Sequence, residues 1–439
     1  MNETLFPLPD PVEVKRDDSP KGRPRVLTPD RRQVELRAVD LDGTLPAYHQ
    51  ARMVWEFVMG QDLSAFYAQI RVADGGPGHA ATDPRVLLAL WLYATLEGVG
   101  SARALDRLTE RDDAYRWICG GVPMNYHTLA DFRVGHGELL DRLLTMNVAV
   151  LMSEGLVTLE RVAQDGVRVR ASAGAASFRR RERLEECLLE ADAHVQALMR
   201  EVEEDPAATS RRLEAAWRRA AEDRKKRVAE ALAQMPDAEA KKKASEKEKA
   251  RVSTTDPDAR VMKMGDGGYR PAFNGQFATD TQSQVVVGVD VTNQGSDQGQ
   301  MSPMVEQVKA RYDETPQDFL VDGGFVSADE IEKATEAGCT VYAPVQKPKD
   351  ASRDPYQPLQ GDSPTIAEWR TRMGTTEAKK IYKERAATAE CVNALARNRG
   401  LRQFPVRGTH KVLAILLWFA LVHNMMRAVQ LRAEASSTA

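Results

Sequence analysis

At about residue 157 the hydrophobic period of this chain changes from helical to alternating, and it changes again near 175 and 260. VTLERVAQDGVRVRAS (157–172) alternates and is rich in Val, which predicts strand–turn–strand. Residues 175–252 return to a helical period, dense in Glu, Ala, Arg and Lys, with Asp205-Pro206 breaking the run. That pattern predicts a hairpin of two long antiparallel helices with a solvated face. Strand patterning resumes in VMKMGDGGYRPAFNGQFATD and QVVVGVDVTN. A helix (Ser302–Tyr312), a strand (QDFLVDGG), a helix (Ala328–Ala337) and a strand (CTVYAPV) follow. The order is β-β-β-α-β-α-β with a helical insertion after the first strand, an α/β (α+β) class fold with a sheet flanked by helices.

The flanks of this core read differently. Residues 1–29 are rich in Pro, Asp and basic side chains and predict a mobile arm. Residues 30–150 read as short helices, with Asp83-Pro84 and Ser101 as start signals and a turn at Gly120-Gly121. That is a helical N-terminal domain, either a DNA-binding one of helix-turn-helix character or an ordinary packing layer. Residues 347–375 are Pro-rich and read as irregular, a helix is expected over 376–397, and 431–439 is read as a tail.

Composition excludes several classes. The 61 basic and 64 acidic residues leave a net charge of −3, so a nucleic-acid surface has to come from segregated charge. The four cysteines, Cys119, Cys187, Cys339 and Cys391, form no C-x-x-C pair and indicate neither a zinc knuckle nor a disulfide framework. The apolar run Val412–Val422 is too short for a bilayer span and reads as a buried helix. With no signal-peptide pattern at the N-terminus, a soluble, cytoplasmic protein is expected, with no membrane partner.

Three carboxylates stand out by context. Asp165 lies in a Val-rich strand, Asp322 ends the apolar strand DFLVDGG, and Glu390 sits on the helix KKIYKERAATAECVNALAR. Singly, Asp165-Gly166 and Asp322-Gly323 are ordinary turn dipeptides, and Glu390 is an ordinary helical acid. Jointly, two acids at strands of an α/β sheet and a third on a helix can converge as hard oxygen ligands for Mg²⁺ or Mn²⁺. Lys379, Lys380, Lys383, Arg385, Arg397, Arg399, Arg402, Arg407 and Lys411 add a local basic surface of the kind that binds a phosphodiester backbone.

These segments, in this order, resemble bacterial insertion-sequence transposases of the DDE class over nearly the whole chain. FLVDGGF is similar to their second-aspartate strand, and the blocks from DPDARVMKMGDGGYRPAFNGQFATD to VVVGVDVTNQGSDQGQMSPM to the segment before it. IYKERAATAECVNALARNRGLRQFPVRG resembles their last catalytic helix, with its signature at Tyr382, Arg385, Glu390 and a basic residue, here Arg397 where Lys is usual. The resemblance implies an RNase H-like catalytic domain over 151–430. Asp165, Asp322 and Glu390 would bind two Mg²⁺ or Mn²⁺ ions, cleave transposon ends and join the freed 3′-hydroxyl to target DNA. Expected partners are terminal inverted repeats and target DNA, with a homodimer in the synaptic complex. Arg385, Arg397, Lys383, Arg399 and Arg402 would hold DNA phosphates. Tyr382 would contact a distorted end base or simply pack, and Asn274 and Gln276 would support the site, touch DNA or serve as ordinary hairpin polarity. His127 and His423 read as structural. The alternatives are a non-joining nuclease of the same fold, a DNA-binding regulator derived from a transposase, and a structural coiled-coil protein.

Overall fold

The computed structural model describes residues 40–72, 80–204, 211–348 and 353–438. The arm expected over 1–29 and the Asp205-Pro206 break lie outside the described residues. A layer of helices comes first: α1 (Gln50–Met59), α2 (Ser64–Tyr67), α3 (Pro84–Leu96), α4 (Ala102–Arg111), α5 (Asp113–Cys119), α6 (Tyr126–Gly135) and α7 (Gly137–Ser153). Their starts follow local chemistry. Asp83 accepts from the Arg85 amide with Pro84 in the first turn, and Ser101 accepts from the Ala104 amide. Gly120, at φ +57°, ends α5 in the left-handed conformation.

Strand β1 (Arg161–Arg170) is a single continuous strand, not the strand–turn–strand expected from Asp165-Gly166. Next come β2 (Phe178–Arg179), the long helices α8 (Arg181–Glu204) and α9 (Arg211–Ala233), α10 (Met235–Ala240) and β3 (Val252–Ser253). The antiparallel β2–β3 pair closes the neck of this helical insertion. Then β4 (Arg260–Lys263), β5 (Tyr269–Asp280), β6 (Val286–Thr292), α11 (Met301–Tyr312), β7 (Asp318–Leu320), α12 (Ala328–Glu336) and β8 (Thr340–Tyr342) complete the sheet. Its order is β4-β5-β1-β7-β8, with β6 on the same edge of β5 as β4. β1 runs antiparallel to β5 and parallel to β7, so the sheet is mixed and curled and is flanked by helices.

The segment expected to be irregular over 347–375 contains a helix, α13 (Pro364–Gly374). The Pro-rich approach hid its start: Ser363 accepts from the Ile366 amide, Pro364 takes the first turn, and Ile366, Trp369 and Met373 bury one face. Helix α14 (Thr376–Arg385) runs through a π-helical turn (Ala386–Glu390) into α15 (Cys391–Asn398). Helix α16 (Thr409–Thr438) continues through the residues expected to form a tail. It is long and apolar enough to cross a membrane, but 72% of its apolar window is buried inside the protein.

Two cores result. One joins α3, α6 and α16 to Val167, Val169, Phe273 and Phe277 of the sheet. The other joins α11, α12 and α13 to Val162, Phe319 and Val341. Trp418 of α16 donates its indole N–H to the Arg133 carbonyl, and Trp91 of α3 donates to the Leu129 carbonyl, both at 2.9 Å. From Leu41 onward the helical layer and the sheet belong to one unit.

Candidate functional site

The sheet splits where β1 leaves β7. Their pairing covers only Arg161–Ala163 and Asp318–Leu320, after which the β7 chain turns away at Asp322. From Gln164 to Val169 that edge of β1 has no strand beside it among the described residues; Arg170 bridges to Gln403 at the far end. A cleft therefore opens beside a central strand, where the neighbouring chains diverge.

Side-chain alternation decides what enters the cleft. Asp165 pairs across β5 with Phe277 and shares its face, the face covered by α15 and α16. Its Oδ2 accepts from Asn393 Nδ2 of α15 at 2.8 Å, and Arg385 Nη1 stands 3.7 Å from Oδ1. Burial pushes the Asp165 carboxyl above its ordinary range; Arg385 opposes that shift and the nearby Asp322 adds to it. Asp322 itself accepts from the Gly324 amide at 2.8 Å, in a turn that starts where β7 ends.

Glu390 comes near Arg385 by an unusual route. In a regular α-helix each residue turns by roughly 100°, so side chains five apart diverge by about 140°. The π-helical turn between Arg385 and Glu390 closes its hydrogen bond over five residues and returns both to one face. Arg385 Nη2 lies 3.6 Å from Glu390 Oε1, so one guanidinium stands between Asp165 and Glu390. Burial works against the Arg385 charge, but Tyr382, Asp165 and Asp322 outweigh it and raise the pKa. Tyr382 is half-buried next to Arg385, and burial raises its pKa.

Helix α14 is fixed to the sheet by Arg161. Its guanidinium pairs with Asp318 of β7 at 3.1 Å and with Glu384 of α14 at 2.8 Å. Glu384 immediately precedes Arg385, so this clamp ties the end of α14, next to the π-turn, to the sheet.

The other expected residues are distributed unevenly. Lys383, Arg397 and Arg402 are exposed, whereas Arg399 is half-buried, with its pKa lowered by burial, and its backbone packs on Gly98. Asn274 and Gln276 are buried and lie on the opposite face of the sheet from Asp165, so they do not offer a DNA-contacting surface. His423 is buried, with Nε2 2.7 Å from the Gln284 carbonyl oxygen. Sequence reasoning missed Asn393, whose only signal is its position three residues beyond Glu390 on the same helix face. It also missed Asp297, in the loop between β6 and α11, which lies inside the family-like block VVVGVDVTNQGSDQGQMSPM but does not stand out within it.

Among the described residues, no three His, Cys, Asp or Glu side chains stand close enough to hold an ion together. The donor set still suits a hard divalent cation. Asp165 and Asp322 are close enough to repel, and the buried Oδ1 of Asn393 beside them has no hydrogen-bond partner. A guanidinium supplies the positive charge between Asp165 and Glu390.

Comparison with protein families finds two matches. The description "Transposase DDE domain" matches residues 240–425, and "Transposase domain (DUF772)" matches residues 40–134. Comparison with curated proteins and with solved structures finds no match.

Proposed function

Since the chain belongs to the insertion-sequence DDE transposases, we propose that it cuts the ends of its element and joins the freed 3′-hydroxyl to target DNA at the cleft beside β1. The observation that carries this reading is that Arg385 stands 3.7 Å from Asp165 of β1 and 3.6 Å from Glu390 of the π-turn, with Asp322, in the turn after β7, near enough to act on both Asp165 and Arg385. The order β6-β5-β1-β7-β8 across the sheet, with the third acid on a late helix, supports an RNase H-like arrangement for the domain.

Asp165, Asp322 and Glu390 would hold one or two Mg²⁺ or Mn²⁺ ions, which activate water and stabilise the leaving oxygen of a phosphodiester. Each protein group has a definable task. Asn393 holds the Asp165 carboxylate by its Oδ2 and leaves Oδ1 directed elsewhere. Arg385 balances the carboxylates before substrate arrives and is then placed to grip a phosphate oxygen, with the half-buried Tyr382 beside it. Lys383, Arg397 and Arg402 are exposed cations that would hold the DNA backbone. Arg399 contributes to packing against the helical layer rather than to a phosphate contact. No side-chain nucleophile is required, because water and then the DNA 3′-hydroxyl attack. Two such chains would act as a homodimer on paired element ends.

The test uses a plasmid carrying the reading frame with its flanking genomic DNA, and a duplex of one element end already cut. Asp322→Ala and Glu390→Ala are expected to abolish end cleavage in Mg²⁺ while end binding persists. Wild-type protein is expected to insert the pre-cut end into plasmid DNA. Cleavage that survives either substitution contradicts the site; cleavage without insertion favours a non-joining nuclease.

A further inference from the structure

Gly166 sits in the middle of β1, between Asp165 and Val167, without a left-handed φ. Its need for glycine is one of space. A Cβ there would lie 2.2 Å from Asp297 Oδ1, 2.8 Å from Gln276 Nε2 and 2.9 Å from Asn274 Oδ1. The carboxylate of Asp297 thus fills the volume that any other side chain would take, on the face of β1 opposite Asp165.

Asp297 is held there by two buried amides. Its Oδ1 accepts from Asn274 Nδ2 at 2.7 Å and from Gln276 Nε2 at 2.9 Å. Gln276 is fixed in turn by Gln164 Nε2, which also donates to the Gln300 carbonyl at the start of α11. Among the described residues the second oxygen, Oδ2, has Arg168 at 3.5 Å as its one polar partner and lies on the side of the Asp322 turn. A Cβ on Gly324 would lie 3.0 Å from Asp322 Oδ1 and 3.7 Å from Asp297 Oδ2. Asp297 therefore underlies the split in the sheet, filling the space over Gly166 of the central strand and standing beside Gly324 of the Asp322 turn.

We propose that Asp297 is a positioning residue of the reaction centre: clasped by Asn274 and Gln276 over Gly166, it props the Asp322–Gly324 turn at a set distance from Asp165. The inference rests on the cation site proposed above. Outer-shell partners of this kind commonly govern metal affinity, because they fix the ligand rather than touch the ion. The clasp uses one oxygen as a double acceptor, and an asparagine Oδ1 can do the same. Asp297→Asn should therefore keep the clasp, and Asp297→Ala should remove it.

The experiment is calorimetry of the full chain with Mn²⁺ alone, alongside plasmid end cleavage, for wild type, Asp297→Ala, Asp297→Asn and Asp165→Asn. Asp297→Ala is expected to weaken Mn²⁺ binding and slow cleavage by roughly 10–100-fold. Asp297→Asn should stay within about threefold of wild type, and the cation-free melting temperatures of both should lie within about 4 °C of it. Unchanged Mn²⁺ affinity in Asp297→Ala overturns the proposal, as does an Asn variant as impaired as the Ala variant, since that would require the charge itself. Should Asp297→Ala not fold, Asn274→Ala removes one donor of the clasp; a severalfold loss of affinity supports the proposal and no change overturns it. Asp165→Asn separates the two levels. If it leaves Mn²⁺ binding and cleavage intact, the cation site itself is misplaced. If it abolishes both while Asp297→Ala does not, only the role of Asp297 falls.

Discussion

At the scale of single residues, Arg385 is the hinge of the account. It stands within 3.7 Å of Asp165 and 3.6 Å of Glu390, two acids 225 positions apart in sequence numbering (390 − 165). Arg385→Ala is expected to slow end cleavage by roughly 100–1,000-fold, the range for removing one preorganised donor from a developing negative charge, as read by gel assay of the nicked product. A rate within twofold of wild type would leave Arg385 as a mere counter-ion. His423 offers a check independent of activity. Its pKa is lowered to about 4, because burial disfavours the imidazolium. The folded state thus prefers the neutral ring, so the contribution is complete above the unfolded pKa near 6.5 and is lost as pH falls toward 4. Asp256, raised by burial to about 6, works in the opposite sense, so the cleaner readout is the ring itself. A proton resonance of His423 should titrate with a midpoint near 4; a midpoint at the ordinary value contradicts its burial.

At the scale of elements, the π-turn carries the site. Sequence spacing put Arg385 and Glu390 five apart, which a regular helix would direct to different faces. Moving the acid back by one residue tests the turn. In Ala389→Glu/Glu390→Ala the carboxylate takes the four-residue spacing of a straight helix, but position 389 is buried at 2% exposure. The double variant should be as inactive as Glu390→Ala and less stable by about 1–3 kcal/mol in urea denaturation, the cost of a buried polar group. Recovery of cleavage would mean that the helix is regular in the working enzyme. This is also where the limits of sequence reading lie. Strand and helix order and the caps at Asp83 and Ser101 were legible, because periodicity and local capping encode them, whereas the grouping of the three acids came from the resemblance and not from any spacing in the chain. The glycine of β1 was misread as a turn, because the carboxylate that excludes a side chain there comes from residue 297. Helix α13 was missed because its Pro-rich start resembles a loop until the Ser363 cap is seen. Asn274 and Gln276 stood out as polar residues in a strand, but the partner that explains them is remote in sequence.

At the scale of the whole molecule, the helical layer and the sheet share a core through α16. Trp418 is buried against Trp91, with ring centroids 6.5 Å apart, and hydrogen-bonded to α6. Trp418→Ala should cost about 3–5 kcal/mol, as for other large core truncations, and should lower the helical and sheet signals together in one thermal transition. Two separated transitions would mean that the layers fold independently. The same coupling places the domain matched over 40–134 on the helices that brace the sheet. The most direct test of the account is a crystal of the full chain soaked in Mn²⁺ and measured at the manganese absorption edge. Anomalous density between the Asp165 and Asp322 carboxylates, with Glu390 turned toward it and Arg385 displaced, is the predicted result. Well-ordered carboxylates with density only elsewhere on the molecule would contradict it.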